Sequence, residues 1–135
     1  TLKVPANTYI AGSSMGGLIS LYALCEYPEV FGSAACMSTH WPVIFTNQNN
    51  PFPEAIFDYL LKKLPIQKNH RIYFDYGTAT LDSLYEPYQT RVDAIMNAKG
   101  YNSRSWITVR YPGENHSEAA WARRFDKVLS FLFNK

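Results

Sequence analysis

The sequence predicts an α/β fold, a parallel sheet covered by helices on both faces. Four β-prone runs alternate with four segments of helical apolar spacing, and Gly, Pro or polar clusters separate them. The length fits this architecture: 135 residues, 47% of them hydrophobic, are enough for one packed domain spanning 1–135.

The elements follow in order. Thr8-Tyr9-Ile10-Ala11 is the first strand candidate, and it breaks at Gly12-Ser13-Ser14-Met15-Gly16-Gly17. Leu18, Leu21, Tyr22, Leu24 and Cys25 then keep helical spacing until Tyr27, where Pro28 disfavours further helix. Gly32 through Met37 is a small-residue run suited to a buried strand, followed by His40, Trp41 and a polar surface loop from Thr46 to Asn50. Pro53 opens a second helix with Ile56, Phe57, Leu60, Leu61 and Leu64 on one face, and Pro65 ends it. Arg71 to Asp75 is the third strand. A third helix places Tyr88, Val92, Ile95 and Met96 together and stops at Gly100. Ser105 to Tyr111 is the fourth strand, and Trp121, Phe125, Val128, Leu129 and Leu132 form the apolar face of a final helix.

Composition excludes several function classes. Thirteen Lys+Arg balance 11 Asp+Glu to a net charge of +2, with no basic run to attract nucleic acid or an anionic membrane. No apolar stretch approaches the roughly 18–20 residues needed to span a bilayer. From Thr1 onward no signal-peptide pattern is expected, and no compartment is read from the sequence. Cys25 and Cys36 lack Cys-x-x-Cys spacing and read as small buried hydrophobes. No Cys/His ligand cluster or phosphate-binding glycine loop occurs, so neither a metal nor an organic cofactor is expected.

The chemistry is concentrated in loops at the C-terminal ends of the predicted strands, where open α/β sheets place their sites. Gly12-Ser13-Ser14-Met15-Gly16 fits Gly-x-Ser-x-Gly between a strand and a helix, which puts Ser14 at the nucleophile position of a sharp turn. A serine hydroxyl is a weak nucleophile at neutral pH and needs a base, itself oriented by a carboxylate. Of the three histidines, His116 follows the last strand and is the candidate base. His40, after the second strand, reads as a pocket or structural residue, and His70 as a surface residue ahead of the third strand. The acid is Asp82 or Asp75, with Glu86 and Glu114 further candidates. Asp82 is favoured because a loop carboxylate reaches a neighbouring loop more easily than one at a strand end; its competing role is to cap the following helix.

Gly-Ser-Ser-Met-Gly-Gly at 12–17, Tyr-Pro-Glu-Val-Phe-Gly at 27–32, Asp-Tyr-Gly-Thr at 75–78, and His116 with Trp121 behind it together resemble the Putative esterase family of α/β-hydrolases. That family includes esterase D-type, feruloyl, acetyl-xylan and enterochelin esterases. The resemblance spans essentially the whole chain and implies a serine esterase with Ser14 as nucleophile and His116 as base. The chain order nucleophile, acid, base is that of α/β-hydrolases. In the family the acid often follows Gly-Thr within two positions, whereas here Thr80 stands there and Asp82 comes later.

The resemblance further implies that the family's strands before the nucleophile strand are not in this chain. The backbone N–H of Met15 is the expected oxyanion donor, and the second donor normally comes from one of those earlier loops. The nucleophile strand is then expected to be an exposed sheet edge, with weak activity or self-association through that edge as the consequence. His40, Trp41, Tyr76 and Tyr85 are candidates to line a pocket for an aromatic or carbohydrate ester. Acyl transfer to a sugar hydroxyl, and a non-catalytic binding module of the same fold, are the competing functions.

Overall fold

The structure, a computed structural model, describes residues 4–46 and 48–133. The chain start, on which the targeting expectation rests, and residue 47 of the polar loop lie outside the described residues. Thr46, Gln48 and Asn49 of that loop are exposed.

Four strands, β1 (Tyr9–Ser13), β2 (Ser33–Met37), β3 (Arg71–Gly77) and β4 (Trp106–Tyr111), form one parallel sheet in the order β1-β2-β3-β4. Helices α1 (Met15–Glu26), α2 (Phe52–Lys63) and α3 (Glu86–Ala98) make the three crossovers, and α4 (Glu118–Phe133) follows β4. Successive parallel strands added in one direction by crossovers of one hand place all three connecting helices on the same face. The last helix is free of that constraint and covers the opposite face, so the α/β architecture has helices on both sides.

The strand sequences match these two faces. Ala34, Cys36, Ile72 and Phe74 point into the larger core with Leu21, Leu24, Phe57, Leu60, Val92 and Met96. Their neighbours Ala35, Met37 and Tyr73 alternate to the other side and meet Val128 and Leu132 of α4. β2 is buried throughout, and Ala34, Ala35 and Cys36 let helices approach closely on both faces. Both cysteines are free and buried in this packing. Burial pushes the Cys25 thiol up to about 12 and moves Cys36 in the same direction, so both behave as the small hydrophobes expected.

Three helix faces differ from the periodic reading, the smallest difference being Leu61 of α2, which is 46% exposed beside the buried Phe57 and Leu60. On α4 the buried stripe is Ala120, Arg124, Val128 and Leu132, whereas Phe125 and Leu129 are 38% and 39% exposed. Val128 and Leu132 lie on the core face as the spacing predicts, but the charged Arg124, and not Phe125 or Leu129, occupies the centre of the buried stripe. α1 is apolar nearly all round, and its second apolar face (Met15, Ile19 and Tyr22) is 48%, 58% and 48% exposed. A helix apolar on every side is ordinarily one buried on every side. His70 also departs from its surface assignment: it is 7% exposed, and its ring nitrogens meet the carbonyls of Ile66 at 3.1 Å and Pro28 at 2.9 Å.

Candidate active site

Ser14 sits between the end of β1 and the start of α1 with φ 58° and ψ −122°. This is a strained conformation for a residue with a Cβ, and it projects the side chain out of a tight turn. The turn closes because Gly12 has no side chain: a Cβ there would fall on the Gly16 carbonyl. The Ser14 N–H donates to Met37 O at 2.9 Å, and its carbonyl accepts the N–H of Gly17 at 3.1 Å and of His40 at 3.2 Å. The elbow is thereby pinned to the segment after β2. Met15 is the first residue of α1, where backbone N–H groups lack intrahelical acceptors.

His116 comes from the loop after β4. That loop is tied to the one after β3 by Thr78 N–H and Ala79 N–H, both donating to Glu114 O at 3.0 Å. Gly113 N–H donates to Thr78 Oγ1 at 2.8 Å, and His116 N–H to Thr80 Oγ1 at 2.9 Å. These bonds fix the imidazole backbone relative to the 3-10 turn Thr80–Leu84 that carries Asp82.

The side chains meet across this frame. His116 Nε2 lies 2.9 Å from Ser14 Oγ, and His116 Nδ1 lies 2.6 Å from Asp82 Oδ1. Asp82 Oδ2 accepts the Gly77 N–H at 2.6 Å and the Ser38 hydroxyl at 2.5 Å. The close approach at Gly77 requires glycine, since a Cβ would strike the Glu114 carbonyl. Asp82 is 1% exposed, and its side chain makes no cap to α3.

Asp75 is engaged elsewhere. It ends in the layer under α4 and pairs with Arg124 twice, Oδ1 with Nη2 at 2.7 Å and Oδ2 with Nε at 3.1 Å. The Tyr73 hydroxyl donates to Oδ2 at 2.9 Å and the Ser38 N–H to Oδ1 at 3.3 Å. Burial pushes the Asp75 carboxyl above its ordinary range, and Arg124 opposes that with a charge and two donors. Glu86 and Glu114 face solvent partners, Arg110 at 3.4 Å and Arg123 at 2.5 Å.

The four residues expected to line a pocket are 0% to 7% exposed. Trp41 and Tyr76 pack in the larger core, Trp41 against Phe74, rather than lining an open cleft. His40 and Tyr85 join the site from behind. The Tyr85 hydroxyl is 2.8 Å from His40 Nδ1 and 3.5 Å from His116 Nδ1. Asp82 can only accept, so His116 Nδ1 donates to it and the Tyr85 hydroxyl presents that nitrogen a lone pair, while between Tyr85 and His40 Nδ1 either group can be the donor. His40 Nε2 has no partner among the described residues. Burial and the nearby His116 both hold the His40 imidazole below its ordinary range. Beside Met15 there is instead an apolar groove of about 410 Å³ between α1 and α2, walled by Leu18, Ile19, Phe52, Ile56 and Tyr59.

Ser38 and Arg124 did not stand out in the sequence. The signal for Arg124 is a charge at i, i+4 from Ala120 and Val128, on the buried stripe of an amphipathic helix. No pattern marks Ser38, whose role comes from a left-handed φ of 42° at the end of β2. Among the described residues no group of three or more His, Cys, Asp or Glu is placed to hold a metal ion.

The model of the Putative esterase family matches residues 1–132. The chain belongs to this family. Carboxylesterase SOBER1 of Arabidopsis thaliana is 28% identical over 124 residues, 82% of this chain and 52% of that protein. In three dimensions the chain is similar to the enterobactin esterase FES from Shigella flexneri, with TM-score 0.73 and 21% identity over 98% of this chain and 32% of that one. A ferulic acid esterase superposes with TM-score 0.70 at 15% identity, covering 99% of this chain and 53% of its own. At these identities the structural matches establish the α/β-hydrolase fold of this esterase family member. The chain spans about half the length of the curated relatives it matches.

Proposed function

We propose that this chain carries the nucleophile, base and acid of a serine esterase: Ser14, His116 and Asp82. One observation carries the reading, the continuous line from Ser14 Oγ to His116 Nε2 at 2.9 Å and from His116 Nδ1 to Asp82 Oδ1 at 2.6 Å. Nucleophile, base and orienting carboxylate are each within hydrogen-bond reach of the next, the arrangement that activates a hydroxyl.

The chemistry follows from those contacts. His116 Nε2 takes the Ser14 proton as Oγ bonds to the ester carbonyl carbon, and the Met15 N–H faces the oxygen that becomes negative. Collapse of this tetrahedral species breaks the bond to the alcohol, which leaves with the proton from His116. Water then repeats the sequence, giving up a proton to His116 and releasing the acid with Ser14 restored. Asp82 holds the tautomer that keeps Nε2 free to accept. The groove beside Met15 offers almost entirely carbon surface, which supports an aromatic or aliphatic ester over a purely polar one.

Fluorophosphonate labelling of the chain, with peptide mass spectrometry, tests the reading. Modification at Ser14 that disappears in Ser14→Ala is expected. A folded chain left unlabelled under conditions that label a known serine esterase overturns it and favours the binding-module function.

The open edge of β1 is also proposed to pair with a second copy of the chain. Among the described residues β1 has one neighbour in the sheet, β2, and an edge on its other side of the kind that invites strand pairing.

A further inference from the structure

We propose that Ser38 is a positioning residue for the esterase site, coupling the buried Asp75–Arg124 ion pair to the carboxylate of Asp82. The proposal rests on the reading of Ser14, His116 and Asp82 given above, and it concerns how the acid is held.

The argument is one of donor and acceptor capacity. Ser38 Oγ has three partners: Asp82 Oδ2 at 2.5 Å, Arg124 Nη2 at 2.8 Å and Trp121 Nε1 at 3.0 Å. A guanidinium and an indole N–H can only donate, and a hydroxyl has one proton and two lone pairs. Both lone pairs of Ser38 are therefore occupied, and its single proton has only Asp82 to go to. Its direction is set by its surroundings, with no rotamer of the O–H left free. Asp82 Oδ2 thus receives Ser38 and Gly77, which leaves Oδ1 to the imidazole.

The anchoring of Ser38 is equally determined. Its backbone N–H donates to Asp75 O at 2.8 Å and approaches Asp75 Oδ1 at 3.3 Å. Arg124 and Asp75, 3% and 1% exposed, are locked to each other by two hydrogen bonds. The hydroxyl is polarised by a buried cation on one side and donates to a buried anion on the other, where low polarity strengthens both contacts. The groups facing the Asp82–His116 pair from other elements are Tyr85, with His40 behind it, and Trp121, whose ring centroid lies 5.0 Å from that of His116 in an edge-on arrangement. The Ser38 hydroxyl is the link that joins Asp82 to the buried Arg124 cation.

The test uses two variants that remove the same hydroxyl with opposite effects on the backbone. Ser38→Ala keeps a Cβ at φ 42°, whereas Ser38→Gly relaxes that strain. Two readouts apply: the second-order rate of fluorophosphonate labelling at Ser14, and the low-field proton NMR resonance of His116 Nδ1–H bound to Asp82. If the hydroxyl positions the acid, both variants lose roughly 10- to 100-fold in labelling rate, the size of one hydrogen bond to a charged group. Both also shift or broaden the resonance, whatever their folding stabilities. Labelling within about twofold of wild type and an unmoved resonance in either folded variant overturn the proposal, as does a wild-type chain without the resonance. A resonance that is present and Ser38-dependent in a chain that does not label refutes the esterase reading while leaving the positioning role intact.

Discussion

The two flanks of Ser14 are built in opposite ways. On the side of β3, β4 and α4, polar groups are buried and paired: Asp75 with Arg124, Ser38 with Asp82, Asp82 with His116. On the side of β1 and α1 the surface is apolar and open, with Met15, Ile19 and Tyr22 about half exposed and β1 at the edge of the sheet among the described residues. His116 and Asp82 therefore sit in a frame of buried, paired polar groups, while Ser14 lies at the boundary of that frame. Rigidity and reactivity need not be found in the same half of a site.

The largest effect expected is at the boundary itself. Ser14→Ala removes the attacking oxygen, and ester turnover should fall by roughly 10⁴-fold or more, measured with a chromogenic ester. The fold should be little affected, because alanine keeps the Cβ that serine already carries at φ 58° and leaves the backbone hydrogen bonds of the turn in place. Turnover that survives the substitution would place the chemistry away from the elbow and dissolve the contrast.

Next in size is a break in the closed side. Arg124→Met leaves Asp75 as a buried, unmatched carboxylate and is expected to destabilise the chain by about 3–5 kcal/mol in urea unfolding. Ile19→Ser on the open side, at a position 58% exposed, should stay within about 0.5 kcal/mol. Equal losses at the two positions would mean that α1 is as tightly covered as α4. For the open edge, Ala11→Lys adds a charge to an exposed position of β1, a device by which edge strands resist pairing. Sedimentation should show concentration-dependent association of the wild-type chain reduced in this variant. A wild-type chain that stays monomeric at high concentration removes the edge-pairing proposal.

The same contrast explains what the sequence revealed. The order of four strands and four helices, the Ser14 turn and the loops bearing Asp82 and His116 were legible because local geometry dictates them: glycines at a tight turn, prolines at helix ends, apolar runs of the right period. What was hidden depends on contacts distant in sequence. Arg124 reaches Ser38 across 86 positions, and only the packed sheet brings α4 under the end of β2. The periodic reading of α4 preferred Phe125 and Leu129 for the core, since no local rule places an arginine there unless its carboxylate partner is already known. Trp41 and Tyr76 read as pocket walls by composition, but a buried parallel sheet absorbs large aromatics under its helices. The choice between Asp82 and Asp75 turned on the one local argument available, loop against strand end, and the structure places the two carboxylates in different networks.

The smallest expected effect concerns His40, which lies between the flanks, with its backbone on Ser14 and its ring on Tyr85. Burial holds this imidazole below its ordinary value of about 6.5, so the folded chain keeps it neutral at pH values where the unfolded chain protonates it. The unfolded state then binds more protons, and stability rises with pH across that window. Read downward, stability is lost as pH falls below about 6.5 and levels off at the folded value, by at most about 1.4 kcal/mol per pH unit. His40→Gln keeps an amide that can donate to or accept from the Tyr85 hydroxyl but cannot titrate. Urea midpoints of variant and wild type, compared from pH 7 to pH 5, should therefore converge or cross as the pH drops, with His70 and His116 present in both. A gap that stays constant over that range would show that His40 is protonated as readily in the folded chain as in the unfolded one, and that the space between the two flanks is wetter than its burial implies.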